Sequence, residues 1–146
     1  MIAPGMPADH RRAMRARAHG NPAVYARWPG IAGCATKMLL GRQCASDSPP
    51  LTPALGEQAV RMVRERFAFV GLLEHYNVSV CIFQALFRAG RTPDPAELAI
   101  THANPARPRA RYAEGPLNGF VDHYDENVYA AAAERFWADA RRTRCV

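Results

Sequence analysis

The chain has 146 residues, room for one domain, with a core large enough to fold alone if the chain is complete. Its formal net charge is +6, and Lys37 is its only lysine, so nearly all the positive charge is arginine. No run approaches the roughly 20 apolar residues of a membrane span. The start, MIAPGMPADHRR, lacks the apolar run of a signal peptide, and four cysteines are few for a disulfide scaffold. Arginine favours forked contacts to phosphate, sulfate and carboxylate, so the balance suits an anionic partner. A coding bias towards Arg and Ala is the alternative.

Residues 1–22 read as a loose N-terminal segment with a short basic helix, capped by Asp9 and running through Ala18. Arg11, Arg12, Arg15 and Arg17 give it a basic face, either solvated or anion-binding. Tyr25–Gly33 is turn-rich. In GCATKMLLGRQCA, Cys34 and Cys44 bracket the segment. A disulfide between them would close a loop of about ten residues and contribute about 2–3 kcal/mol in the chain-entropy model. A zinc site is disfavoured because no second closely spaced Cys/His pair accompanies it, and no metal is expected. Cys81 reads as a packed thiol and Cys145 is uninformative. After a linker, SDSPPLTP, Thr52-Pro53 is a helix start: an N-cap oxygen, then a ring already set at helical φ. Leu55, Ala59, Met62 and Val63 form that helix's buried stripe.

Phe67–Leu73 is a short apolar run closed by Glu74, His75 and Asn77, which predicts one fully buried strand ending in a turn. From Val78 the spacing becomes helical, with Val78, Ile82 and Leu86 on one stripe and Phe83 and Phe87 beside it. Asn77 or Ser79 is placed to cap this helix. Asn77-Val78-Ser79 is also an N-glycosylation sequon. Against its use stands the expectation that Asn77 is a part-buried capping residue at the turn.

Residues 89–113 form a Pro/Arg-rich loop carrying His102, Asn104, Arg107, Arg109, Arg111 and Tyr112. A long loop of this kind is either functional or disordered. Asp122 opens a last helix, with Glu126 in its first turn and Arg141 and Arg142 in its last, each of the sign the helix dipole favours. Val128, Ala132, Ala133 and Phe136 line one face. The expected class is therefore α/β, mostly helical, with one clear buried strand at 67–73. A strand apolar on both faces needs neighbours on both sides, and the chain does not visibly supply them. The expectation is a single but incomplete domain over 1–146.

Three segments together resemble the Golgi-type carbohydrate sulfotransferases of the P-loop superfamily, in the group that includes the uronosyl (heparan sulfate) 2-O-sulfotransferases. They are GCATKMLLG, RMVRERFAFVGLLEHYNVSVCIFQALF and DHYDENVYAAAAERF. FAFVGLLE looks like the late strand of that fold. Asp125, Tyr129, Ala132 and Phe136 match the pattern of its C-terminal helix. The resemblance implies the C-terminal portion of a three-layer α/β domain and transfer of a sulfuryl group from 3′-phosphoadenosine 5′-phosphosulfate to a carbohydrate hydroxyl. It implies a Golgi setting, an anionic nucleotide and a carbohydrate acceptor as partners. His102, Asn104, Arg107, Arg109, Arg111 and Tyr112 would then be cofactor- or acceptor-binding candidates on a late loop. The departures are specific. No strand is followed by G-x-x-x-x-G-K-S/T, and the Arg and Ser of a 3′-phosphate site are not recognisable near Arg11–Arg17. Both are expected upstream of Met1, so this chain alone should be inactive, with no catalytic residue carried over.

Two other readings compete: a non-enzymatic basic module that holds a polyanion, and a degenerate structural relative that keeps the late elements. Nucleic acid is not an expected partner, because no reading helix, zinc finger or single-strand aromatic platform is present.

Overall fold

A computed structural model describes residues 21–45, 49–89, 91–99 and 117–146. Among these, every regular element is helical: α1 (Pro22–Ala26), α2 (Cys34–Leu39), α3 (Pro53–Glu65), α4 (Tyr76–Phe87) and α5 (His123–Arg142). Two 3₁₀ turns occupy Leu73–His75 and Pro95–Leu98. The basic helix expected from Asp9 lies outside the described residues. No helix among them is long and apolar enough to cross a membrane.

The buried strand expected at Phe67–Leu73 is absent, which corrects the α/β expectation to a helical class for the described residues. Residues 67–72 are irregular chain running into the first 3₁₀ turn. Leu72 is buried, but Phe67 is exposed and Leu73 is 84% exposed. The physical reason is the one that made a lone strand costly: its backbone groups need partners. Side chains supply them here. The Ser79 hydroxyl accepts from Leu72 N and donates to Leu72 O, at 2.9 Å each. The Arg135 guanidinium donates to the carbonyls of Val63 (2.8 Å), Arg64 (3.3 Å) and Phe67. It thereby serves carbonyls at the end of α3 that have no partner within the helix.

The chain divides into two units. The first comprises the described residues up to Val60 and those from 117 to Val128. Asn21 opens α1 by accepting from Ala23 N (3.0 Å) and Val24 N (3.4 Å), with Pro22 at the first helical position. Thr52 opens α3 as its sequence indicates, its Oγ1 accepting from Leu55 N at 3.4 Å. Gly56 lies under the Tyr124 ring, where a Cβ would meet ring carbon Cδ1 at 2.9 Å. Tyr124 also donates its hydroxyl to Leu51 O at 3.3 Å. Cys34 and Cys44 are joined as a disulfide.

The second unit comprises the described residues from Arg61 to 99 and from Tyr129 to Val146. Its core is Leu72, Ile82, Phe136 and Ala140, with Val78, Leu86 and Trp137 packed against it. The stripe read from α4 is therefore the core-facing one, while Phe83 and Phe87 are exposed. Fully burying side chains such as Ile82 and Phe136 contributes about 1.5–3 kcal/mol each. Cys81 is not a free packed thiol: it is bonded to Cys145, 64 residues away. Cys145 N donates to Ala140 O at 2.9 Å across Arg144, whose φ is +58°, so the end of α5 turns back through a left-handed residue. Asn77 is not a cap. It lies exposed inside the first turn of α4, and the capping position is His75, with no side-chain bond. Ser79 does not cap either, because its hydroxyl is committed to Leu72.

Residues 91–99 begin the Pro/Arg-rich loop and hold a capped turn. Asp94 accepts from Ala96 N at 2.8 Å, and Glu97 accepts from Asp94 N at 2.8 Å. Glu97 also accepts from Arg91 (2.7 Å) and, through both oxygens, from Gln84 Nε2 (3.1 Å each). These bonds, led by that from Asp94 N, hold its carboxyl below the usual value of 4.5.

Candidate functional site

The segment Gly33–Lys37 (GCATK) turns sharply into α2. Gly33 has φ +68°, a left-handed conformation that glycine adopts without strain. This exposes backbone N–H groups at the helix start, which attract negative charge. The anion they receive comes from the chain itself. Asp122 Oδ2 accepts from Gly33 N at 2.6 Å. Asp125 accepts from Ala35 N (2.9 Å) through one oxygen, and from Thr36 N (2.8 Å) and Thr36 Oγ1 (2.9 Å) through the other. Thr36 is fully buried. The next residue, Lys37, is also buried and donates to Pro29 O.

Asp122 and Asp125 are positioned by the start of α5. Asp122 accepts Asp125 N through its side chain (3.3 Å) and Glu126 N through its carbonyl (2.8 Å). One acidic turn thus opens its own helix and clasps the start of a second. Asp125 had a signal in the sequence, as the first residue of the pattern matched in the last helix. Its partners had none, because the pairing spans about ninety residues.

A second polar cluster lies in the other unit. Tyr129 donates its hydroxyl to the Glu74 carboxylate. That bond holds Glu74 below the ordinary carboxylate value and pushes the Tyr129 phenol up. Beside it in sequence, His75 stacks on Phe136 at 5.8 Å between ring centroids and meets Trp137 edge-on at 4.8 Å. Glu74 and Tyr129 face solvent and satisfy one another.

The sequence candidates His102, Asn104, Arg107, Arg109, Arg111 and Tyr112 lie outside the described residues. Among the described residues, no group of three or more His, Cys, Asp or Glu is arranged to hold a metal ion. A sulfuryl donor needs a loop whose N–H groups cradle its phosphosulfate. At Gly33–Thr36 those groups already donate to two carboxylates, and a phosphosulfate there would meet two groups of its own sign. The Gly33–Thr36 loop does not fit the donor.

No family model matches the chain. No curated protein or solved structure matches it either. The reading of the site therefore rests on its residues and their geometry.

Proposed function

We propose that this chain is a carbohydrate sulfotransferase-like protein that holds an anionic carbohydrate and does not itself cradle the sulfuryl donor. The observation that supports it is the clasp of Gly33–Thr36 by Asp122 and Asp125. It joins two of the three segments that resemble the family, GCATKMLLG and DHYDENVYAAAAERF, by four hydrogen bonds of 2.6–2.9 Å. The same clasp fills the loop's anion-binding groups with the chain's own carboxylates. The P-loop fold and the 3′-phosphoadenosine 5′-phosphosulfate site belong to the resemblance alone.

The net charge of +6 favours binding to the carbohydrate, because sulfated and uronic polysaccharides carry dense negative charge. In this reading Arg107, Arg109 and Arg111 contact sulfate or carboxylate groups, helped by His102, Asn104 and Tyr112. The test is retention of the purified chain on an immobilised sulfated polysaccharide, eluted with salt. Retention at low salt that falls steeply as salt rises is expected, because polyanion binding releases counterions. Replacing Arg107, Arg109 and Arg111 together by Ala should lower the eluting salt. No retention at low salt overturns the proposal.

A further inference from the structure

We propose that Asn77 is an acceptor for an N-linked glycan. The sequence Asn77-Val78-Ser79 has the required spacing, and the objection to it was that Asn77 is a part-buried cap. The fold removes that objection. Asn77 is exposed, it sits inside the first turn of α4 instead of at the capping position, and its side chain makes no hydrogen bond among the described residues. A bulky polar group on its amide leaves the core of Leu72, Ile82, Phe136 and Ala140 untouched.

A second, independent observation concerns the compartment. All four cysteines are paired, Cys34 with Cys44 and Cys81 with Cys145, and none is free. Disulfides persist in oxidising compartments such as the lumen of the endoplasmic reticulum, and glycan transfer to this sequon belongs to proteins that pass through it. The co-reactant is a lipid-pyrophosphate-linked oligosaccharide. The Asn77 amide nitrogen forms a bond to the anomeric carbon of the first sugar, and the bond from that carbon to the pyrophosphate oxygen breaks. Its electron pair leaves with the lipid pyrophosphate, and the amide gives up one proton to a base of the transferase. The Ser79 hydroxyl is engaged by Leu72 in the folded chain, so transfer belongs to the chain before folding. This inference does not rest on the sulfotransferase reading.

The experiment directs the whole chain into the secretory pathway of cultured eukaryotic cells behind a cleavable signal peptide, alongside Asn77→Gln. Position 77 is exposed and unbonded, so the variant keeps its fold, which a thermal melt checks. The expected result is a heavier wild-type species that endoglycosidase returns to the mass of N77Q, with N77Q unchanged by the enzyme. Electrophoresis without reductant establishes that both proteins formed their disulfides, and hence reached the compartment. A wild-type chain that is oxidised yet co-migrates with untreated N77Q overturns the inference. Glycan loss and polysaccharide retention are read separately, so failure of one leaves the other standing.

Discussion

The Ser79 hydroxyl stands between the amide and the carbonyl of Leu72, 2.9 Å from each, and satisfies both. A single side chain thus does for the backbone at Leu72 what a neighbouring strand would do in a sheet. Leu72 can be buried without a ladder.

Ser79→Ala leaves the buried N–H of Leu72 without its partner and leaves the Leu72 carbonyl with only its bond from His75 N. It should cost about 1–3 kcal/mol of stability. The midpoint of a urea titration followed by circular dichroism reads this, with an unchanged slope expected. Equal midpoints for variant and wild type would mean that Leu72 finds other partners.

Asp125 carries three of the four bonds that hold Gly33–Thr36. Asp125→Ala should destabilise by about 1–3 kcal/mol, since it removes the partners of a helix start and of a buried threonine. Asp125→Asn keeps only one acceptor oxygen and loses the charge that suits the helix start, so it should fall between the two. Chemical denaturation of the three proteins should rank them in that order.

The bond between Cys81 and Cys145 closes a loop across 64 residues. On the chain-entropy model it contributes about 4 kcal/mol, against about 3 kcal/mol for the ten-residue loop of Cys34 and Cys44. Replacing Cys81 and Cys145 together by Ser should therefore lower the unfolding midpoint more than replacing Cys34 and Cys44. Mass spectrometry of the unreduced protein should find no free thiol.

Stability should fall in acid partly through Glu97. Its folded value lies below the ordinary 4.5, chiefly because it accepts from Asp94 N. A carboxyl depressed by folding contributes stability that is present above its unfolded value and is lost as pH falls through the folded one. The thermal midpoint should drop below about pH 4.5, and Glu97→Gln should lessen that drop. An identical pH profile for the variant would remove Glu97 from the account.

The helices were legible where local signals are strong. Thr52-Pro53 marks a start that side-chain and ring chemistry determine within three residues. Ile82 and Phe136 announce the core through helical spacing. The run Phe67–Leu73 misled because apolar content alone does not distinguish a buried strand from irregular chain whose backbone is served by side chains. The donors and acceptors concerned, Arg135 and Ser79, lie outside the run. The long-range pairings were the least legible. Nothing local ties Asp125 to Thr36 or Cys145 to Cys81, whereas Cys34 and Cys44 are close enough in sequence to suggest each other.

The claim that the chain's own carboxylates fill its loop is tested most directly by a thermal melt with and without 3′-phosphoadenosine 5′-phosphate. A ligand that binds only the folded state raises the midpoint by mass action. The account predicts a cooperative melt whose midpoint the nucleotide leaves unchanged. A midpoint that rises with nucleotide concentration would mean that the chain builds a donor site, and would contradict it.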